Sequence, residues 1–268
     1  YTQLNGMADD GVSYAGWTEL SEWTKFKFTD YNFNECNVKM WKEHWTAINR
    51  ANQVLDHIDD TSIAFDSEEH RLDMKAQALW LRSFYYFYMV AMWDNVPLTM
   101  KTSSASDQPA NTKDDPTAQA DIVFTQIETD LNWAIEHLPL ERTKEVARPT
   151  KGAAYGLLAK VYMQHKKWQE AEKCLNWIVE GEGKSVYSLE PKWEDNFNCK
   201  TENNCESLYE IQFSLTNYVG FDQTDNYLDA NAQVGTQIEV NQSPKGTGWN
   251  NIECNRWVVD WFKREKTI

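Results

Sequence analysis

The stretch AQALWLRSFYYFYMVAMWDNVPLTM, Ala76 to Met100, decides the fold class. It carries seven aromatic residues between Trp80 and Trp93. A helix that is apolar on nearly its whole circumference must be covered by neighbouring helices on most sides. Arg82 and Asp94 interrupt the apolar run, which is shorter than the roughly 18 residues of a membrane span. The stretch therefore predicts a core helix of a helical protein.

The composition narrows the function classes. The chain has a net charge of −15, from 26 basic and 41 acidic residues. This balance argues against nucleic acid and against electrostatic docking on anionic lipid. The 13 tryptophans exceed what core packing needs. Some of them are expected to line a surface that holds something flat and partly apolar. Neutral ligands such as glycans or peptides fit this balance best.

Helical periodicity continues on both sides of the opening stretch. Apolar spacing and start or stop residues predict five helices: Trp41 to Ile58, Ser67 to about Trp93, about Thr117 to Pro139, Thr150 to Gln164, and Trp168 to Glu180. Trp45, Trp80, Trp168 and Trp177 fall on the predicted core faces of these helices. Asn95 suits a left-handed turn at the end of the second helix. The small residues Gly152, Ala153, Gly156 and Ala159 let another helix approach closely.

After Gly183 the pattern changes to long polar segments rich in Asn, Asp, Gln and aromatics. Within them, alternation of Tyr209, Ile211 and Phe213 predicts a strand over Ser207 to Ser214. We therefore expect a helical scaffold over residues 1–183 and a loop-rich ligand face over 184–268. Loops on a rigid scaffold are the usual location of binding residues.

The pair of helices from Tyr155 to Glu180 has the register of a tetratricopeptide repeat. Ala159 and Ala171 are the small residues at which two antiparallel helices touch. Repeat scaffolds of this kind usually provide binding surfaces. The predicted fold is mainly α, an α-α superhelix of tetratricopeptide-like helix-turn-helix repeats, with a few short strands in the loop-rich region.

Four segments in sequence order resemble the SusD/RagB family of outer-membrane lipoproteins. They are WKEHWTAINRANQVLDHI, ALWLRSFYYFYMVAMWDNVPLT, ARPTKGAAYGLLAKVYMQHKKWQEAEKCLNWIV, and SLEPKWEDNF with NNCESLYEIQFS. The resemblance covers about residues 1 to 260. Asp94-Asn95 stands where the family usually has Gly-Asp before Val-Pro, a difference expected to change only the turn. The lipid-bearing N-terminal Cys and the C-terminal third of the family are expected to be missing from this chain.

The resemblance implies a non-catalytic nutrient-binding protein at the outer-membrane surface. Such proteins capture oligosaccharides or polysaccharides and pass them to a SusC-like TonB-dependent transporter. It also implies a membrane attachment only through an N-terminal lipid anchor, no nucleic acid partner and no cofactor.

A sugar has apolar C–H faces and a polar rim, so its site needs exposed aromatics beside amides or carboxylates in loops. Three stretches meet this requirement: GVSYAGWTELSEWTKFKF, NYVGFDQTDNY and KGTGWNN. The candidate ligand-binding residues are Trp17, Trp23, Tyr218, Phe221, Asp222, Asn226, Tyr227, Trp249 and Asn250.

Other chemistries have weaker support in the sequence. No HExxH or Gly-x-Ser-x-Gly motif is present, and the five histidines are scattered. No metal site is predicted, although the Asp222–Asp229 loop has the oxygen density for calcium. Cys199 and Cys205 flank a short loop and are candidates for a local disulfide. Two rivals stay open: a tetratricopeptide scaffold for a protein or peptide partner, and a helical glycoside hydrolase, which would need two carboxylates at a fixed separation.

Overall fold

A computed structural model describes residues 10–13, 18–30, 34–104, 111–198, 200–212 and 252–264. The chain divides into two compact units, residues 43–211 and residues 1–42 with 212–268. The helices are α1 Thr18–Lys25, α2 Glu35–His57, α3 Glu68–Trp93, α4 Pro116–His137, α5 Lys151–Gln164, α6 Trp168–Val179 and α7 Arg256–Phe262. Short 3-10 turns span Glu182–Ser185 and Trp193–Phe197. Strands β1 (Gly11–Val12) and β2 (Glu253–Cys254) pair antiparallel.

The mainly helical class predicted from the sequence is confirmed. The starts of three helices follow from capping chemistry. Ser67 Oγ accepts from the His70 backbone N–H, and Thr150 Oγ1 accepts from Ala153 N–H. Asp115 caps α4, with Pro116 at its first position. At the end of α3 the residue with positive φ is Asp94, at 56°, and not Asn95 as predicted.

A buried ion pair joins α3 to α4. The Arg82 guanidinium donates to both carboxylate oxygens of Asp130, at 2.8 and 2.9 Å, and the two side chains are 5% and 6% exposed. Arg82 Nη1 also donates to Asn52 Oδ1 of α2 at 3.0 Å, and the Gln126 amide donates to Asp130 at 2.8 Å. Burial raises the pKa of Asp130, while the bonds from Arg82 and Gln126 act in the opposite direction.

Side chains from these helices hold the chain that follows α3. Asn52 Nδ2 donates to the carbonyls of Thr99 and Lys101, at 3.0 and 3.1 Å. The Tyr86 hydroxyl bonds both the N–H and the carbonyl of Thr99, and burial raises its pKa to about 12. Gln119 donates to the Val96 carbonyl at 2.9 Å. This segment is therefore fixed by side chains and not by a sheet.

Gly152 and Gly156 of α5 have a different role from the one predicted, because their neighbour is not a helix but the segment that follows α6. A Cβ on Gly152 would meet the Tyr187 ring, and a Cβ on Gly156 would meet Leu208 Cδ1 at 2.7 Å. Tyr187 is also tied to the cap of α5 through a 2.9 Å hydrogen bond with Thr150 Oγ1.

Several predictions of burial and strand were wrong or only partly right. Trp80 is buried, but Trp45 and Trp177 are half-buried, and Trp168 is 63% exposed. The buried residues of α6 are Ala171 and Cys174. Residues 207–212 form no strand. Their alternation arises because Leu208 packs on α5 while the Tyr209 ring lies 4.6 Å from that of Trp80.

In the part of the chain that the structure describes, no helix has both the length and the apolar character needed to cross a membrane.

Replacing Arg82 by Met is expected to lower the free energy of unfolding by about 3–5 kcal/mol, because the Asp130 carboxylate would be left buried without its partner. Urea denaturation followed by circular dichroism measures this change. The double variant Arg82→Met/Asp130→Leu is the control and should recover part of the loss. A single variant within about 1 kcal/mol of wild type would contradict a structural role for the pair.

Gly152→Ala is expected to destabilise the protein by about 1–3 kcal/mol, because the added methyl overlaps the Tyr187 ring, whose hydroxyl is hydrogen-bonded to Thr150. Gly156→Ala is the matched control. There the obstacle is the flexible end of Leu208, and alanine has the higher helix propensity, so its effect should be small. Equal unfolding free energies for the two variants, from the same denaturation experiment, would show that the Tyr187 ring is free to move.

Candidate ligand-binding surface

Eight of the nine predicted ligand-binding residues lie outside the described residues. They are Trp17, Tyr218, Phe221, Asp222, Asn226, Tyr227, Trp249 and Asn250. The structure neither brings them together nor separates them, so their role stays a prediction. The calcium loop considered at Asp222–Asp229 also lies outside the described part.

Trp23 is described, and it is a packing residue in this structure. Its side chain is 3% exposed, and its indole N–H donates to Asn34 Oδ1 at 2.9 Å. Phe28 contacts the ring edge-on, with centroids 5.9 Å apart. Asn34 is held in turn by its Nδ2 donating to Glu22 Oε2 at 3.1 Å. A ring covered in this way presents no free face to a sugar.

Two exposed aromatics that could hold a ligand lie on the 3-10 turn Trp193–Phe197. Trp193 is 73% exposed and Phe197 is 71% exposed. Their ring centroids lie 4.6 Å apart and their planes are tilted by 50°. Leu189, a few residues before the turn, is 80% exposed. Exposed aromatic area of this kind is typical of a binding surface. We call Trp193 and Phe197 the aromatic pair.

Glu206 holds the turn that carries the aromatic pair. Its Oε2 accepts from the Glu190 backbone N–H and from Asn196 Nδ2, both at 2.9 Å. The bond from Glu190, followed by the bond from Asn196, lowers the pKa of Glu206. The Ser188 N–H donates to the Cys205 carbonyl at 2.9 Å. The turn therefore projects from a small, internally bonded loop.

Amides and carboxylates surround the aromatic pair. Asn204 Nδ2 donates to Asn196 Oδ1 at 3.0 Å, and Asn198 Nδ2 donates to Asp195 Oδ1 at 3.1 Å. The Glu194 carboxylate is exposed and has no hydrogen-bond partner among the described residues. Tilted rings can cover the apolar face of a sugar while such groups bond its hydroxyls. The arrangement suits a neutral, polyhydroxylated ligand.

The sequence held a signal for this surface. WEDNF places two aromatics four residues apart around carboxylates and an amide. That is the requirement applied to the three predicted stretches. The 3-10 turn brings the two rings to within 4.6 Å of each other, and the loop-like composition of this region does not indicate such a turn.

Cys205 is a free thiol that donates to Glu190 Oε1 at 3.2 Å, so Cys205 forms no disulfide in this structure. Cys199 lies outside the described residues. Burial raises the pKa of the Cys174 thiol to about 11, which makes it unreactive at neutral pH. Within the described ranges, no group of three His, Cys, Asp or Glu side chains is placed to hold a metal ion.

A mainly helical scaffold with an exposed aromatic surface on a following loop defines a class of binding protein, and sequence comparison gives its family. The SusD-like family described as starch-binding and associating with the outer membrane matches residues 3–163. The chain belongs to this family, which is defined by binding and not by catalysis. The resemblance identified from the four sequence segments is confirmed.

A similar curated relative is a SusD-like protein from Bacteroides ovatus, 28% identical over 220 residues. The match covers 78% of this chain and 38% of the relative. A SusD-like protein P2 from Formosa agariphila is 26% identical over 241 residues, covering 89% of this chain and 45% of the relative. The chain thus spans less than half the length of these relatives.

Solved structures share the fold. A laminarin-binding SusD-like protein superposes with a TM-score of 0.78 at 25% identity, over 98% of this chain and 58% of that one. Surface glycan-binding protein A from Bacteroides thetaiotaomicron, in complex with laminarihexaose, superposes with a TM-score of 0.76 at 22% identity. That match covers 99% of this chain and 55% of the other.

Titration of Glu206 tests the loop that holds the aromatic pair. A folded-state pKa below the ordinary value means that the carboxylate stabilises the loop above the unfolded-state pKa. This stabilisation is lost as the pH falls through the folded-state pKa. Carboxyl carbon chemical shifts should give the depressed pKa, and Asn196→Ala should raise it. Asn198→Ala is the control, since its amide bonds Asp195, and an equal rise there would contradict the assignment.

Proposed function

We propose that the protein is a non-catalytic SusD-like binding protein that captures oligosaccharides or polysaccharides at the outer-membrane surface. The observation that carries the proposal is the aromatic pair with its polar rim, on a chain whose family is described as starch-binding. The laminarin-binding relative supports a glucan as the first ligand to test.

Charge supports a neutral ligand. The chain carries −15, and Glu194 and Asp195 lie between the two aromatic residues. An anionic polysaccharide would be repelled by such a surface. A neutral glucan is not repelled by this negative charge, and the carboxylates can accept hydrogen bonds from its hydroxyls.

The family supports a proposal for the partner and the location. We propose that the whole protein is a surface lipoprotein and that it delivers its glycan to a SusC-like TonB-dependent transporter. Outer-membrane association is part of the family's description. Co-purification of the whole protein with a transporter from outer-membrane extracts tests the partner, and surface proteolysis of intact cells tests the location.

The predicted residues outside the described ranges belong to the same proposal. Trp249 and Tyr218, with the other predicted loop residues, would extend the ligand face beyond the aromatic pair. Their loops combine aromatics with Asp and Asn, as the turn at Trp193 does.

Binding to laminarin, amylopectin and xyloglucan in affinity gels tests the function, with reducing-sugar release measured in parallel. Trp193→Ala and Phe197→Ala are each expected to weaken binding about tenfold, because part of the roughly 1.5–3 kcal/mol of a covered aromatic side chain is lost. Trp249→Ala should have a similar effect. Trp168→Ala is the matched control, because Trp168 is 63% exposed but lies on α6.

The outcomes separate the rivals. Retardation that is lost in the Trp193 variant and kept in the Trp168 variant supports capture at the aromatic pair. Release of reducing sugar would favour the glycoside hydrolase. No retardation by any glycan would favour a scaffold for a protein or peptide.

A further inference from the structure

A cavity lies beside the loop that carries the aromatic pair. It has a volume of about 290 Å³ and is bounded by the loop between α4 and α5 and by the segment 186–210. Six lining residues carry its chemistry: Glu141, Arg148, Tyr187, Asn204, Ser207 and Tyr209. We call this cavity the cleft. Its volume is at the lower end of the range for small-molecule sites, about 300–1,000 Å³.

Contacts within the protein hold the aromatic walls of the cleft in place without a ligand. Tyr187 is 9% exposed and is fixed by Thr150 and by the close approach of Gly152. The Tyr209 ring packs on Trp80 with centroids 4.6 Å apart. A site whose aromatic walls are already immobilised orders little on binding, which lowers the entropic cost of association.

Polar groups in the cleft still have hydrogen-bonding capacity. Arg148 Nη1 donates to Gln77 and its Nε pairs with Glu145, which leaves Nη2 without a partner in the described chain. The Glu141 carboxylate and the Ser207 hydroxyl likewise bond none of the described residues. The cleft therefore offers a ligand a donor from Arg148, an acceptor from Glu141 and the hydroxyl of Ser207, which can do both.

The charged residues in and around the cleft favour some classes of ligand over others. Arg148 has its own carboxylate in Glu145, at 2.9 Å, and Arg142, which also lines the cleft, is paired with Asp73. With Glu141 and Glu210, these two arginines face four carboxylates in and beside the lining, which is an excess of negative charge. An anion is disfavoured, and so is the carboxylate of a free amino acid. Adjacent hydroxyls of a neutral sugar can donate to Glu141 and accept from Arg148.

We propose that the cleft is a second glycan subsite, one that takes a neutral mono- or disaccharide unit; this rests on the proposed capture of glycans. A polar contact joins the cleft to the turn of the aromatic pair, because Asn204 lines the cleft and donates to Asn196, which lies between Trp193 and Phe197 in the sequence. The aromatic pair holds chains by their exposed faces, whereas the cleft encloses a short unit.

Calorimetric titration of the 268-residue chain with laminaribiose and with maltose tests the cleft. Glu141→Gln and Ser207→Ala are each expected to weaken disaccharide binding about tenfold, the loss of one hydrogen bond to the ligand. Glu202→Gln removes the same charge from an exposed site outside the lining, and it should leave the affinity unchanged.

Each outcome decides the matter. The proposal is supported if Glu141→Gln and Ser207→Ala weaken disaccharide binding and Glu202→Gln does not. Disaccharide binding that is lost in Trp193→Ala and unaffected by the cleft variants overturns it. So does binding of lysine or glutamate in place of a disaccharide. Polysaccharide retardation without disaccharide binding refutes the cleft alone, whereas failure of every glycan to bind refutes the proposed function.

Discussion

The buried pair of Arg82 and Asp130 is the constraint on which the helical unit depends. A guanidinium inside a helical core needs acceptors for its nitrogens, and these acceptors come from more than one helix: Asp130 from α4 and Asn52 from α2. The requirement fixes the rotation of three helices about their axes at once. Hydrophobic packing alone tolerates several such arrangements, whereas a hydrogen-bonded ion pair tolerates few.

The same polar centre determines the path of the chain after α3. Asn52 uses its carbonyl for Arg82 and its amide for the carbonyls of Thr99 and Lys101. Tyr86, one turn beyond Arg82, bonds both backbone groups of Thr99. A segment with no sheet partner would otherwise leave its backbone groups unpaired in the interior, at a cost comparable to lost hydrogen bonds. The polar side chains of the opening stretch matter here as much as its aromatics.

The sequence predicted five of the seven described helices because their signals are local, although α2 begins at Glu35 and not at Trp41. Ser67 and Thr150 mark starts through contacts within one turn, and α3 and α5 begin directly after them as expected. Helix α4 begins at Pro116, one residue before the expected Thr117. The exposure of Trp168 was missed, because helical spacing shows which residues share a face and not whether a neighbour covers it. Residues 207–212 mimicked a strand, since packing against helices on both sides also produces alternation.

The candidate surface depends on non-local bonds, and this is why sequence reasoning found its chemistry but not its position. The aromatic pair is exposed because Glu206 closes the loop beneath it, and no pattern relates residue 206 to residue 190. That loop is in turn docked by Tyr187 on Gly152, a contact that requires a glycine on one turn of α5. A chain of constraints therefore runs from the first turn of α5 to the exposed rings. The helices support the loop from below. A few hydrogen bonds within the loop are then enough to keep the two aromatic rings exposed to solvent. Ligand preference can then change through loop residues while the helical core stays the same.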